Sequence, residues 1–261
     1  MQEENPFQPL RKALWNSEPI AFVNKVIEVA SGKGGVGKST TAVNLAFALA
    51  KAGNKVGLLD ADICGPSLPK MLGINKKPEI IDNKIIPLQA HGLKCLSMGF
   101  LVEEDAAIIW RGPQVTKALQ QMLRDTLWAT AEDKLDYLII DLPPGTGDIH
   151  LSLVQKAPLT GAVIVTTPQE IALIDAKKAI DMFERVSVPI LGIIENMSGF
   201  KDDSGKIHRI FGEGGGKKLA QGKNVQFLGE VPLDINLRIA GDNGSKYADD
   251  ADIYKNIAKF L

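Results

Sequence analysis

The sequence has little that would tie it to a membrane, an oxidising compartment or a polyanion. It contains only two cysteines, Cys64 and Cys95, too few for a disulfide framework. Its formal net charge of −1 gives no general attraction to nucleic acid or anionic lipid. No apolar run is long enough to span a bilayer, and the opening residues MQEENPFQPLRK carry acids where a signal peptide carries bases. These absences predict a cytoplasmic protein with no membrane and no nucleic-acid partner.

Short apolar runs rich in β-branched residues alternate with segments of helical periodicity. The runs are apolar on both faces, as the strands of a buried parallel sheet are. They begin at Lys25, Lys55, Leu135, Gly161, Pro189 and Val225. The helical segments are residues 39–52, 114–128, 149–156, 171–185 and 216–221. This alternation predicts an α/β fold with a doubly wound, mostly parallel sheet and helices on both faces.

Two regions depart from this alternation. Residues 79–100 contain no long helical pattern and predict a hairpin that turns at Asp82 and Asn83, followed by a further strand. Residues 1–24 predict an N-terminal extension with a short helix near residues 9–16. The rest of the sequence has no repeat, low-complexity segment or linker. We therefore expect residues 25–261 to form a single domain.

The segment GKGGVGKST follows the first predicted strand and opens the first predicted helix. Its spacing matches G-x-x-x-x-G-K-[ST], a phosphate-binding loop (the P-loop, residues 32–39). The glycines let the backbone curl so that N–H groups point at a phosphate, and the helix N-terminus adds its positive dipole end. Lys38 is expected to bridge the β- and γ-phosphates, and Ser39 to ligate Mg²⁺. The predicted contacts with ATP or ADP are Gly32, Lys33, Gly34, Gly35, Val36, Gly37, Lys38, Ser39 and Thr40.

Carboxylates follow two of the predicted strands where each strand ends. Asp60 and Asp62 lie in LLDADICGPS, and Asp141 lies in LIIDLPPGTGD. Because ligands of open α/β sheets bind at the carboxyl ends of strands, we expect these side chains near the P-loop. Asp141 is expected to hold Mg²⁺ through water, while Asp60 and Asp62 share metal contact and water positioning. The loop after Asp141 (the switch loop, residues 142–147) has the prolines and glycines of a γ-phosphate sensor.

Several motifs beyond the P-loop occur in a familiar order. They are KGGVGKST, LLDADICGPS, WRGPQV, LIIDLPPGTGD, VTTPQEIAL, IENMSGF, IFGEGGG and GEVPLD. The chain resembles the Mrp/ApbC family from about Val23 onward, with MinD, ParA and nitrogenase iron protein as wider relatives. Members of this family are ATPases proposed to carry or transfer iron–sulfur clusters. The resemblance implies a slow, Mg-dependent ATPase, a homodimer, and apo iron–sulfur clients or scaffold proteins as partners.

The P-loop contains two lysines, and the resemblance assigns them different tasks. KGGVGKST is the deviant form of the Walker A motif, with an additional lysine near its start. In this class the second lysine, here Lys38, serves the nucleotide of its own subunit. The first lysine, here Lys33, reaches across a dimer to the phosphates of the partner subunit. The resemblance therefore predicts that Lys33 acts in trans.

The resemblance also implies roles for residues at the strand ends. It places water activation on Asp62 and Mg²⁺ support on Asp60 and Asp141. It places recognition of the adenine base on Asn196, whose amide has both a donor and an acceptor. The segment VPLD would flank the base, with Pro232 packing near it.

One family feature is missing from this sequence. The family typically carries C-x-x-C just after ENMS-x-F, and paired cysteines from two subunits hold a bridging cluster. Here Asp202, Asp203, Ser204 and Gly205 occupy that region without a cysteine. Iron–sulfur clusters favour thiolates, whereas aspartates and His208 suit harder metals or a solvated turn. Cluster binding is therefore uncertain, and we expect this loop to be mobile or metal-bridged in a dimer.

The two cysteines that are present do not form a pair in the sequence. Cys95 lies in an apolar strand pattern and is predicted to be a core residue. Cys64 lies just after Asp62, near the expected nucleotide.

Three classes of function fit these features. The first is an ATPase acting in iron–sulfur cluster assembly or transfer. The alternatives are a MinD- or ParA-like spatial switch and a P-loop metabolic enzyme that activates a small acid. A MinD-like protein ends in a basic amphipathic helix that binds membrane. Here Ile253, Ile257, Phe260 and Leu261 form an apolar stripe with two lysines between them, which favours docking on the protein's own surface.

Overall fold

The fold is built on a mostly parallel sheet whose strands alternate with helices. The computed structural model describes residues 18–62, 65–101, 112–247 and 252–261. The strands are β1 (Val23–Ala30), β2 (Val56–Asp60), β3 (Ile80–Ile81), β4 (Lys84–Ile85), β5 (Leu88–Ala90), β6 (Leu93–Ser97), β7 (Leu135–Asp141), β8 (Gly161–Thr166), β9 (Ile190–Lys201), β10 (Ile207–His208) and β11 (Phe227–Leu233). The helices are α1 (Lys38–Lys51), α2 (Leu68–Met71), α3 (Met98–Leu101), α4 (Gly112–Arg124), α5 (Asp148–Lys156), α6 (Glu170–Arg185), α7 (Gly215–Lys223), α8 (Ile235–Asp242) and α9 (Ile253–Ala258).

The order of strands brings three loops together at one edge of the sheet. The order is β10-β9-β8-β1-β7-β2-β6-β5, with β11 also paired to β9, and β5 and β10 are antiparallel to their neighbours. Because β1, β7 and β2 are parallel neighbours, the loops that follow them leave from the same edge. The register pairs Asp60 with Asp141, so the two carboxylates end adjacent strands. The predicted fold class is confirmed.

Apolar side chains on the two faces of the sheet form two core clusters. In β1, Val26 and Ala30 belong to one cluster, whereas Ile27 and Val29 belong to the other. The first cluster includes residues of α4, α5 and α6, and the second includes residues of α1 and α9. Helices therefore cover both faces, which explains why the strands read as continuous apolar runs. The buried Cys95 belongs to the second cluster, as the sequence predicts.

The hairpin predicted near residue 80 is present. Strands β3 and β4 pair antiparallel around Asp82 and Asn83, whose φ angles are 49° and 61°. Both turn residues lie in the left-handed region, which is the conformation of a two-residue hairpin turn. The hairpin forms a separate small sheet, and β5 and β6 follow it.

The largest differences between predicted and observed boundaries are at the ends of α4 and β9. Helix α4 ends at Arg124 instead of residue 128, because Leu127 N–H donates to the Ile85 carbonyl at 2.9 Å. Trp128 is buried, and its Nε1–H donates to the Met122 carbonyl at 3.0 Å. Strand β9 continues from Asn196 to Lys201, where it pairs with β10. The helix predicted near residues 9–16 and the residue Cys64 lie outside the described part of the chain.

The last helix docks on the protein itself. Tyr254 and Ile257 of α9 are buried in the cluster that contains the apolar face of α1. Ile253 and Leu261 are partly buried against the same cluster, whereas Phe260 is exposed, contrary to the predicted stripe. Among the residues that the structure describes, no helix is both long and apolar enough to cross a bilayer.

Candidate functional site

The P-loop leaves β1 and ends at the first turn of α1. Gly37 has a φ of 84° and precedes the helix, and its carbonyl accepts the Thr41 N–H at 2.9 Å. A Cβ at Gly37 would overlap the Asn196 amide, and a Cβ at Gly32 would overlap the backbone carbonyl of Asp175 in α6. Glycine is therefore required at Gly37 by both conformation and space, and at Gly32 by space.

Lys38 and Asp141 form a buried ion pair at the centre of the site. The Lys38 Nζ donates to Asp141 Oδ1, and the two residues are 6% and 0% exposed. Burial raises the pKa of Asp141, although Lys38 and the Ser39 hydroxyl oppose the shift. Asp62 is close enough to raise this pKa further by its charge. The structure therefore brings the predicted residues Lys38, Ser39, Asp62 and Asp141 together.

Asp60 organises the loop that carries Asp62. Its carboxylate accepts hydrogen bonds from Asp62 N–H at 3.0 Å, Leu68 N–H at 3.1 Å and the Ser97 hydroxyl at 3.0 Å. Burial raises the pKa of Asp60 to about 7, with a further contribution from the charge of Asp141. These three donors give Asp60 a structural task, while its predicted contact with Mg²⁺ stays a prediction.

The donor atoms at this edge suit a magnesium ion. Asp141 Oδ2 is buried and accepts no hydrogen bond from the described residues. Carboxylate and hydroxyl oxygens are hard ligands of the kind that Mg²⁺ prefers, and Mg²⁺ usually keeps several waters beside substrate phosphates. No group of three or more His, Cys, Asp or Glu residues in the described ranges could hold a metal alone. Asp141 and Ser39 therefore fit a magnesium site whose other ligands come from water and nucleotide.

The switch loop lies against the start of the P-loop. The Gly145 N–H donates to the Ser31 carbonyl at 3.0 Å. A Cβ at Gly34 would lie 3.8 Å from Pro144 Cγ, which is ordinary van der Waals contact. The loop after Asp141 is thus in contact with the loop that surrounds Lys38. Its response to the γ-phosphate stays a prediction.

A cavity of about 440 Å³ lies beside the N-terminus of α1. Asn196 and Pro232 both line it, as do Gly37 and Thr40. The Asn196 Nδ2 donates to the Val36 carbonyl at 2.8 Å, which leaves a second N–H and the carbonyl oxygen of the amide. The volume falls in the range of small-molecule sites. The residues that the sequence assigned to the base therefore meet at one cavity next to the P-loop.

Other residues of this cavity were not predicted. Leu237, Arg238 and Asp242 come from α8, a helix that the sequence reasoning did not identify. A signal for its start was available, since Asp234 caps α8 by accepting the Asn236 N–H at 2.7 Å. Lys70 and Met71 of α2 line the same cavity.

Lys33 differs from Lys38 in its surroundings. It is half-buried, and the Ser31 hydroxyl donates to its carbonyl oxygen at 2.9 Å. Within the described ranges its ammonium forms no ion pair, whereas Lys38 pairs with Asp141. The trans role of Lys33 stays a prediction.

The chain is similar to several known proteins. The family description "ParA: NUBPL iron-transfer P-loop NTPase" matches residues 22–261. The chain belongs to this family. It is 56% identical over 237 residues to the iron-sulfur cluster carrier protein of Escherichia coli K12, covering 90% of this chain and 63% of that protein. It is 49% identical over 262 residues to the mouse iron-sulfur cluster transfer protein NUBPL, covering 96% and 81% respectively.

A solved structure supports the same assignment. The nucleotide-binding protein of Archaeoglobus fulgidus, solved in complex with ADP and with Co, is 38% identical to this chain. The alignment has a TM-score of 0.78 and covers 90% of this chain and 92% of that one. The P-loop NTPase fold of the family is therefore present in this chain, in agreement with the resemblance seen in the sequence.

The acidic turn at residues 202–205 is internally bonded. Asp202 Oδ1 accepts the Ser204 N–H at 2.9 Å, the Ser204 hydroxyl at 2.6 Å and the Lys206 N–H at 3.0 Å. Asp202 Oδ2 lies 2.6 Å from His208 Nε2. The Ser204 hydroxyl and His208 lower the pKa of Asp202 to about 2. Asp202 therefore stabilises the turn that contains it. The mobile or metal-bridged state of this loop expected in a dimer stays a prediction.

Glu195 and Cys95 are two further buried groups. Glu195 precedes Asn196 and accepts the backbone N–H groups of Gly214 and Gly216, so it holds the start of α7 against β9. Sequence reasoning missed it, although one acid in an apolar strand is a recognisable signal. Cys95 is fully buried in the core, and this burial raises the pKa of its thiol to about 12.

Proposed function

We propose that this chain is a Mg-dependent ATPase that acts in iron–sulfur cluster assembly or transfer. The observation that carries the nucleotide part is the buried Lys38–Asp141 pair at the P-loop, with Asp141 Oδ2 left without a hydrogen bond from the described residues. The cavity between Asn196 and Pro232 offers space for the base beside it. Family membership supports the same proposal.

Lys38 would change partners when ATP binds. Its ammonium pairs with Asp141 in the described state. Phosphates carry more charge than one carboxylate and compete for the same ammonium. Once Lys38 binds phosphate, Asp141 loses a donor and becomes available as a metal ligand together with Ser39. When bound, Mg²⁺ neutralises charge on the phosphates.

Asp62 is the residue proposed to position the attacking water. It is 9% exposed, and its N–H is fixed by Asp60. Its charge reaches Asp141, so it lies close to the proposed metal site. A carboxylate in that place can orient water for in-line attack on the γ-phosphate.

The proposed active form is a homodimer in which Lys33 contacts the nucleotide of the partner subunit. Ile171 and Ile174 of α6 are 59% and 46% exposed. The same helix lies directly against Gly32, next to Lys33. Exposed apolar residues beside a lysine without an ion pair in the described ranges support a protein partner at this face.

The iron–sulfur part of this proposal rests on the similarity to the relatives. The chain spans 63% of the length of the carrier protein of Escherichia coli. We propose that a cluster is the cargo, that apo iron–sulfur proteins or scaffold proteins are the partners, and that no C-x-x-C of this chain holds it. The cytoplasmic location predicted from the sequence is part of this proposal. A membrane switch is not favoured, because Tyr254 and Ile257 of the last helix are buried against α1.

The test combines nucleotide turnover with cluster delivery. ATP hydrolysis and the reconstitution of an apo [4Fe–4S] protein by iron and sulfide are measured anaerobically with this chain and ATP. The Lys38→Ala variant is the matched control. We expect the wild type to hydrolyse ATP slowly and to accelerate reconstitution more than the variant does. Equal reconstitution by both proteins would contradict the iron–sulfur role, and no hydrolysis by the wild type would contradict the ATPase.

A further inference from the structure

A glutamate and a histidine are buried together behind the switch loop. Glu28 lies in the middle of β1 and is 0% exposed, and His150 lies in the first turn of α5 and is 4% exposed. His150 Nε2 lies 3.1 Å from Glu28 Oε1. Glu28 is the only acid in the apolar run VIEVA and shares the strand face of Val26 and Ala30. Burying an unpaired carboxylate costs free energy, and His150 offsets this cost for Glu28.

The contacts of His150 indicate which of its ring nitrogens carry a hydrogen. Its Nδ1 lies 2.8 Å from the Pro143 carbonyl, which can only accept, so Nδ1 carries a hydrogen. Its Nε2 faces the Glu28 carboxylate at ion-pair distance, and neither this nitrogen nor the carboxylate oxygens have a hydrogen-bond partner among the described residues. Burial and Lys38 act to lower the pKa of His150, but Glu28 and the Pro143 carbonyl outweigh them and raise it. An imidazolium that donates from Nδ1 and balances Glu28 from Nε2 satisfies both contacts.

Pro143 belongs to the switch loop, so the Glu28–His150 pair is connected to the P-loop region through residues on both sides of Pro143. Two residues before Pro143 is Asp141, which pairs with Lys38. Two residues after it is Gly145, whose N–H donates to the Ser31 carbonyl. On the other side, Glu28 lies three residues before Ser31 on the strand that leads into the P-loop. The pair therefore joins the strand before the P-loop to the loop after Asp141.

We propose that His150 is a positioning residue for ATP hydrolysis, acting as a charged bridge from Glu28 to the Pro143 carbonyl that holds the switch loop against the P-loop. This inference rests on the proposed ATPase function. Among the described residues, the charged groups that face His150 are Glu28 from β1 and Lys38 from α1. The ring of Phe183 from α6 lies nearly perpendicular to the imidazole at a centroid distance of 6.1 Å. Loss of the Nε2 proton would set a lone pair against the carboxylate and break the bridge.

The test compares kinetics of His150→Gln, Glu28→Gln and a matched control, His91→Gln. His91 also contacts backbone carbonyls, at 3.2 Å from Leu72 and 3.1 Å from Gly244, but it lies away from the P-loop. A glutamine at 150 is neutral and cannot both balance the charge of Glu28 and hold the Pro143 carbonyl, so kcat is expected to fall about tenfold. KM for ATP is expected to stay within about twofold, because the phosphate-binding groups are intact. His91→Gln should keep the wild-type values.

The pH profile distinguishes positioning from general support of the fold. In the wild type, kcat should fall as the pH rises through the raised pKa of His150, because the bridge loses a proton. Glu28→Gln removes the counter-ion, so this alkaline limb should move to lower pH by about one unit. Glu28→Gln keeps the imidazole ring and its contact with Pro143. This variant therefore tests the proposal even if His150→Gln does not fold.

Hydrogen exchange at the Gly145 amide gives a readout that does not need turnover. Exchange should be faster in His150→Gln than in the wild type, and unchanged in His91→Gln. A folded His150→Gln protein with wild-type kcat, pH profile and Gly145 exchange would overturn the inference, as would an unmoved alkaline limb in Glu28→Gln. Absence of hydrolysis in the wild type would overturn the ATPase proposal instead, and the exchange comparison would still decide the role of His150 in holding the loop.

Discussion

Asn196 donates its side-chain N–H to the Val36 carbonyl at 2.8 Å, so strand β9 is bonded directly to the P-loop. The same amide lines the cavity beside Pro232. One side chain therefore connects the loop that binds phosphate with the space proposed for the base. This contact explains why a Cβ at Gly37 has no room, since the Asn196 amide occupies that position.

Asn196→Ala should weaken ATP binding by about tenfold, because it removes a buried hydrogen bond and a polar group proposed to face the base. Calorimetric titration with ATP measures the change. Asn54→Ala is the control, because Asn54 bonds the Leu49 carbonyl at 3.0 Å at the far end of α1. Equal affinities of both variants for ATP would show that Asn196 contributes nothing to the site.

Lys38→Ala should remove detectable ATP binding and also lower stability, because it leaves Asp141 buried without its cation. Breaking a buried pair costs about 3 kcal/mol. Adding Asp141→Asn removes the unpaired charge, so the double variant should regain most of that stability without regaining ATP binding. Chemical denaturation and ATP titration measure the two quantities. A double variant that stays as unstable as Lys38→Ala would contradict the ion-pair explanation.

Lys33 and Asp62 should complement each other in mixed dimers. Each variant alone, Lys33→Ala or Asp62→Ala, should lose hydrolysis, and Asp62→Ala should still bind ATP. If Lys33 acts in trans, a mixed dimer contains one composite site with both groups intact, so each mixed dimer regains about half of the activity of a wild-type dimer. The mixture is compared with each pure variant, with the heterodimer verified by differential tags. Proven heterodimers without recovered hydrolysis would count against the trans role.

Asp202→Asn should destabilise the protein near neutral pH and have less effect in acid. The pKa of Asp202 is lowered to about 2 in the folded state, so its ionised form stabilises the fold above its unfolded value of 3.8. That contribution shrinks as the pH falls from about 4 toward about 2. Thermal midpoints of wild type and variant, compared at about pH 6 and about pH 3, should therefore converge at the lower pH. Asp203→Asn is the neighbouring control, and a constant difference at both values would contradict this explanation.

The features that were predictable from the sequence are those set by local pattern. The glycines of the P-loop and the two-residue turn at Asp82 and Asn83 need particular backbone angles, and the buried strands are apolar throughout. The end of α4 was not predictable, because the Ile85 carbonyl that captures Leu127 comes from a distant hairpin. The pairing of Glu28 with His150 was not predictable either. An acid in an apolar strand indicates a buried charge, but it does not indicate which residue pairs with it.

The docking of α9 has a consequence for the order in which the chain acquires its structure during synthesis. Tyr254 and Ile257 pack on α1, which begins with Lys38. Helix α1 is thus separated by about 200 residues from part of its apolar covering, and such non-local contacts slow folding. On the ribosome, the helix that starts at Lys38 would keep part of its apolar face uncovered until about 200 further residues have been synthesised.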